Sequence, residues 1–281
     1  MGAGINEVNF QEAVLKEADL GRLRNAVAVK NSMNRYSGKI KKKGDSVRIL
    51  GLIDPEVMDY TGEDLVFEKA QMTDDKLVIT QSKYVGTYIP DVDSEQSEFD
   101  TVKEVASKGG KVIAQEQDKY IYSQIAQQIG TAQVIDASST TSANVLSLLT
   151  AMNTKLYESD VPPDEEIVLE VSPSMFGKIT LAGIVYQTDN DKLFEQGYMG
   201  QYGKMKIYLT NNLAKDGSAE CCVLRTKKAY AFAQTIQKME IVRAENNFGK
   251  KVKGLSLYGG RIIRPAEIVV AKFTPGTETA I

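Results

Sequence analysis

Histidine is missing from all 281 residues, and cysteine occurs only twice. Without histidine there can be no Ser-His-Asp triad, no His-ligated zinc and no imidazole acid–base step. Carboxylate and lysine chemistry survive that exclusion. No apolar run approaches the ~20 residues of a membrane helix, and the N-terminus has no signal-peptide pattern. Gly2 is not followed by the Ser or Thr of a myristoylation motif, because Asn6 stands there. These absences lead to the expectation of a soluble chain made in the cytoplasm. The formal net charge of −3 and pI near 5.4 lack the basic excess of a general nucleic-acid binder. Cys221 and Cys222 are adjacent, a poor geometry for a disulfide, so both are expected as reduced thiols in a core strand.

What is present is ordinary globular material, 42% apolar and 25% charged, enough for one large domain or two modest ones. The charge is segregated. Residues 22–48 carry nine Lys or Arg against Asp45, residues 49–100 carry thirteen acids against Lys69, Lys76 and Lys83, and residues 225–264 carry ten bases against two acids. Any one block reads as a solvated face. Neighbouring blocks of opposite sign also suit a subunit whose arm lies on another copy.

The first 20 residues show helical spacing at Phe10, Val14, Leu15 and Leu20, and a polar, basic stretch follows to Lys43. The turn Lys43-Gly44-Asp45 introduces a strand over Ser46–Ile53, and a longer strand from Leu77 to Ile89 ends at Pro90. Between them lies an acidic stretch from Asp54 to Asp75, too long for a hairpin turn, so residues 46–89 read as a projecting β-hairpin. Asp93 with Gln96 forms a capping-box-like helix start. Phe99, Val102, Ala106, Val112, Ile113, Tyr120, Ile121, Ile125 and Ile129 then mark one face of a helix of more than about 30 residues ending at Gly130. Gly109-Gly110 interrupts it, and the stripe stays in phase across the pair, which predicts one bent helix rather than two.

A helix is expected over Ser142–Glu158 with Val145, Leu148, Leu149, Met152 and Leu156 inward. Glu166–Val171 reads as a buried strand, and Ser172-Pro173 as a capped helix start. Strands follow at Met205–Thr210 and Ala219–Leu224, with a further run from Met239. Leu255–Tyr258 and Arg261–Ile263 read as two strands around a tight Gly259-Gly260 turn. The fold class is α+β.

Tests for chemistry fail. Gly197–Lys204 misses the phosphate-loop spacing at Tyr198 and Met205 and precedes a strand, so it reads as a structural loop. The acid pairs Glu63-Asp64, Asp74-Asp75 and Asp189/Asp191 lie in polar, turn-like stretches. The last of them lacks the glycine and glutamate of an EF-hand. Tyr198, Tyr202 and Tyr208 are assigned to packing. No catalytic, cofactor-binding or metal-ligating residue is expected.

The order of segments resembles the Hong Kong 97-like fold of tailed-phage major capsid proteins, and local stretches are similar to capsid proteins from phages and prophages of Gram-positive bacteria. Those stretches are Gly44–Ile49, Leu77–Tyr84 running into Ile89–Ser97, Leu169–Pro173, Gly200–Gly203, and Phe248-Gly249 followed by Gly254–Gly259. The resemblance implies an N-terminal arm over 1–35 and an extended β-hairpin loop over 36–92, lying on the adjacent subunit. It further implies a peripheral domain with its spine helix over 93–140, an axial domain over 141–237, and return strands of the peripheral domain over 238–281. It implies assembly of pentamers and hexamers into an icosahedral shell around double-stranded DNA. Scaffolding, portal and decoration proteins are the implied partners, without a membrane, in a virion assembled in the host cytoplasm. Some relatives carry a cleaved scaffolding segment before the arm; here the arm starts close to Met1, so a scaffold is expected to be separate or already removed. In a capsid that expands, Gly109-Gly110 is a candidate flex point. Lys69 and Lys83 lie where some relatives crosslink, with no asparagine partner identifiable. The alternatives are an encapsulin-like compartment, a tail or other virion protein, or a carbohydrate- or nucleotide-active enzyme.

Overall fold

The computed structural model describes residues 26–35, 37, 42–52, 72–91, 101–183 and 198–275. The expected N-terminal helix, the Asp93 cap, Glu63-Asp64, Asp189/Asp191 and Lys69 lie outside the described residues.

The described chain begins with a one-turn helix α1 (Val27–Lys30). The turn at Gly44 follows, with φ +91°, a conformation glycine adopts without Cβ strain. The Asp45 carboxylate accepts the Lys42 amide at 2.8 Å and closes it. Strands β1 (Ser46–Leu52) and β2 (Met72–Val78) pair antiparallel from Ser46↔Val78 to Leu52↔Met72, giving the stem of the expected hairpin. Asp74 and Asp75 are therefore strand residues and not part of a turn.

The expected single strand from Leu77 to Ile89 is two. β2 stops at Val78, Ile79-Thr80 form a break, and β3 (Gln81–Pro90) turns away to pair with a different partner. That partner is β11 (Gly249–Ile262), which also pairs with β10 (Tyr230–Arg243), so a three-stranded sheet runs β10-β11-β3. β11 is continuous through Gly259-Gly260, correcting the expected turn. The glycines serve close approach instead. A Cβ on Gly259 would overlap the Val78 carbonyl and sit 3.0 Å from Ile79 Cα, and one on Gly260 would lie 2.7 Å from the Tyr230 ring.

The long helix α2 (Thr101–Gln128) lies on one face of this sheet and runs unbroken through Gly109-Gly110. Ala106, Gly109, Gly110, Ile113, Ala114, Gln117, Asp118, Ile121, Tyr122 and Ile125 form its buried stripe. Val112, expected inside, is 51% exposed. Gly109 passes close to β3, and a methyl added there would lie 3.5 Å from Val85 Cγ1.

The larger sheet has seven strands, ordered β4-β12-β9-β5-β7-β6 with β8 beside β9. They are β4 (Val134–Asp136), β5 (Ile167–Val171), β6 (Tyr198–Tyr202), β7 (Met205–Leu209), β8 (Lys215–Asp216), β9 (Ala219–Thr226) and β12 (Ile268–Phe273). Helices α3 (Val145–Tyr157) and α4 (Pro173–Leu181) pack with it. α3 buries Val145, Leu148, Leu149, Met152 and Leu156, the set expected from periodicity. Each contributes on the order of 2 kcal/mol by leaving water. Ser172 caps α4 by accepting the Met175 amide at 3.3 Å, with Pro173 next. Gly203, at φ +57°, turns β6 into β7, so the stretch read as a loop is a hairpin. Tyr198 and Tyr208 pack edge to face across it with centroids 5.6 Å apart. Cys221 and Cys222 are free and buried in β9, as expected, and burial pushes the Cys222 thiol up to about 12.

Candidate functional site

Two places concentrate interactions: the exposed face of the three-stranded sheet and a buried charged cluster beneath α1.

In an antiparallel sheet, residues directly opposite share a face. Lys83, Val85 and Thr87 oppose Ser256, Gly254 and Val252. This set faces α2: Val85 lies by Gly109, Gln117 Nε2 donates to Ser256 Oγ at 3.1 Å, and Tyr120 meets Tyr258 edge-on at 5.4 Å. The opposite face carries the rows Tyr84–Leu255, Gly86–Lys253–Glu240 and Tyr88–Lys251–Val242.

The β1–β2 stem covers only one end of that face. Val47, Ile49, Leu77 and Ile79 pack there on Ala231, Ala233 and Leu257. Arg261 fixes the crossing, pairing with Asp75 at 2.6 Å and donating to the Lys76 carbonyl at 3.1 Å. Beyond the stem, no other described segment covers the face. Tyr84 is 80% exposed, and a groove of about 320 Å3 lies among Tyr84, Glu240, Lys253, Gly254 and Leu255. Phe248, 84% exposed, stands at the β10–β11 turn, where its carbonyl accepts the Tyr88 hydroxyl at 2.8 Å. Isolated exposed apolar residues are common, but aromatics grouped on one sheet face mark a contact surface.

The C-terminal basic block meets the acidic block within one chain, at Arg261–Asp75 and at Arg243–Asp91 (3.4 Å). Lys253 pairs with Glu240 at 2.8 Å and Lys227 with Glu166 at 2.7 Å. Exposed pairs of this kind contribute little to stability.

The second place was not visible in the sequence. Arg225 on β9 and Glu170 on β5 are fully buried and joined by two bonds, Nε to Oε2 at 3.0 Å and Nη2 to Oε1 at 2.9 Å. Arg225 also donates to Ser32 Oγ (2.9 Å) and to the Ala28 carbonyl (3.0 Å), and Asn31 Nδ2 donates to Glu170 Oε1 (3.1 Å). Asp118 of α2, also fully buried, accepts the backbone amides of Val27 at 2.9 Å and Val29 at 3.2 Å. Burial, above all, pushes its carboxyl up to about 7, and nearby Glu170 adds to the effect, while the amide bonds oppose it. The available clue was a charge next to an apolar run in each of two strands, Glu170 after Ile-Val-Leu and Arg225 after Cys-Cys-Val-Leu, of opposite sign.

Among the described residues no group of three His, Cys, Asp or Glu is placed to hold a metal ion, and no helix is long and apolar enough to cross a membrane.

No family model matches the sequence, and no curated protein does. Solved structures do match. A structure of Mycobacterium phage Che8 is similar with a TM-score of 0.66 at 21% identity, covering 88% of this chain and 90% of that one. The capsid of Ralstonia phage GP4 gives 0.66 at 12%, over 85% and 86%. The holo-SrpI encapsulin complex from Synechococcus elongatus gives 0.59 at 7%, over 86% and 87%. The chain thus has the α+β, Hong Kong 97-like capsid fold.

Proposed function

We propose that this chain is the major capsid protein of a tailed bacteriophage or prophage, a structural subunit and not an enzyme. Its copies join as pentamers and hexamers and close an icosahedral shell around double-stranded DNA. The observation that carries the reading is the match to phage capsid structures over most of both chains. In this reading residues 1–35 are the arm and 36–92 the extended loop, whose last strand β3 joins the sheet of β10 and β11 that packs on α2 in the peripheral domain. The seven-stranded sheet with α3 and α4 is the axial domain, and β12, from the return segment, lies inside that sheet between β4 and β9.

The face of the three-stranded sheet that exposes Tyr84 suits a neighbouring copy. Residues 53–71, between β1 and β2 in sequence, carry six acids against Lys69, while that face offers Lys251 and Lys253 among Tyr84, Tyr88 and Leu255. Such complementarity selects partner and register more than it adds affinity. Scaffolding, portal and decoration proteins are further partners in this reading. The site of action is the virion, after assembly in the host cytoplasm.

The likeness to an encapsulin gives a second reading, a compartment for protein cargo. Size-exclusion chromatography of the expressed chain tests the common claim: material far above the 30.9 kDa subunit supports it, and a monomer under all conditions, with scaffold supplied, counts against it. Nuclease-protected DNA in shells formed during infection separates a phage capsid from a compartment.

A further inference from the structure

The buried cluster beneath α1 has an unbalanced charge. Two carboxyls, Asp118 and Glu170, share one fully buried cation, and Arg225 directs both of its carboxylate bonds to Glu170. Asp118 is left with the Val27 and Val29 amides. The charged and titratable groups around it are Lys30 from α1, half-buried, Glu170 from β5, Arg225 beyond it on β9, and Tyr122 from its own helix. Burial and the neighbouring acids hold the Tyr122 phenol well above its usual range, so it stays neutral.

The segment over this cluster supplies its missing partners. Residues 27–32 give two amides to Asp118, one side-chain amide to Glu170, and a hydroxyl and a carbonyl to Arg225. Just beyond, Met33 donates its amide to the Tyr230 carbonyl and accepts from the Phe232 amide, which ties the segment to the edge of β10. Residues 26–34 therefore cross from the seven-stranded sheet over α2 to the three-stranded sheet. A seat made of charges needs this strap to stay dry; with the strap lifted, water would solvate all three groups.

We propose that residues 26–34 form a releasable strap with a proton-operated latch, in which uptake of one proton by Asp118 tightens the strap and its loss loosens the strap. The direction follows from which state buries the carboxyl. Docking completes the removal of Asp118 from water next to Glu170, a cost carried by the ionised form alone, and this burial outweighs the Val27 and Val29 amides of the strap, which favour the ionised form. A lifted strap returns Asp118 to water and to ordinary carboxylate behaviour. Docking therefore takes up a proton between about pH 4 and 7, and the strap holds more tightly as pH falls through that window. The inference concerns the fold of one chain and stands whether or not the chain forms a shell.

Hydrogen exchange of the intact protein from pH 8 to 5.5, with rates corrected for intrinsic pH dependence, tests it. Protection of amides 27–34, relative to those of β5, should rise below pH 7 by up to about tenfold per unit. It should not vary with pH in Asp118→Asn. Protection in the wild type that is constant, or that falls as the pH is lowered, overturns the proposal. Carboxyl NMR of the wild type needs no variant: an Asp118 midpoint near 7 supports the latch, and one near 4 overturns it.

Discussion

Replacing Arg225 by methionine removes the only fully buried cation of the cluster and keeps much of its volume. Four bonds disappear: two to Glu170, one to Ser32 Oγ and one to the Ala28 carbonyl. Glu170 is then a buried carboxylate next to Asp118 with no counter-ion, held by Asn31 alone among these partners. Breaking a buried pair by removing one partner costs about 3–5 kcal/mol, a large part of the roughly 5–15 kcal/mol that holds a domain together. The double change Arg225→Met with Glu170→Leu removes both charges, and replacing buried pairs by apolar residues is often neutral. It should therefore recover most of the loss, although it leaves the strap without its polar seat. Urea unfolding of the unassembled subunit reads both effects as midpoint shifts at constant slope. A single variant within about 1 kcal/mol of wild type would refute the reasoning, as would a double variant no better than the single.

Gly259→Ala should detach the β1–β2 stem from β11, because its Cβ would overlap the Val78 carbonyl, and neither chain is a flexible side-chain end that can move aside. Exchange protection of β1 and β2 should fall while the seven-stranded sheet is unaffected; unchanged protection contradicts the crossing. Gly109→Ala has room, its methyl meeting Val85 Cγ1 at ordinary contact distance, and should stabilise α2 by about 1 kcal/mol, raising the thermal midpoint. A lower midpoint would mean that the glycine is needed for close packing. For Asp118 the folded-state value of about 7 lies above the ordinary 3.8, so the folded chain binds more protons in between and gains stability as pH falls from 7 toward 4. The gain is at most about 4 kcal/mol at 1.36 kcal/mol per unit, and it should be missing from Asp118→Asn in urea titrations compared at pH 7.5 and 5.

Local patterns were readable where a single element decides them. The inward face of α3 follows from a 3.6-residue period, and the Ser172-Pro173 start of α4 from cap chemistry. Features that depend on distant neighbours were not. Gly259-Gly260 has the composition of a turn, and only the crossing β2 strand makes it an approach point. Leu77–Ile89 is one β-branched run, yet it splits at Ile79-Thr80 because its halves pair with different strands. Met72–Lys76 is too polar to read as a strand, and its pairing with β1 is a backbone matter. On α2 the buried stripe includes Gln117 and Asp118, whose partners Ser256, Val27 and Val29 lie 89 or more residues away. Subunit contact was foreshadowed as charge blocks and, through the resemblance, as an extended loop over 36–92. The structure adds that two of those blocks already meet inside one chain.

Electron microscopy of the purified, expressed chain tests the central claim most directly, with scaffold supplied where it is required. Closed shells of uniform diameter, built of pentameric and hexameric clusters, are the predicted result. Monomers or amorphous aggregates under every condition, from a chain that is folded by circular dichroism, would contradict it.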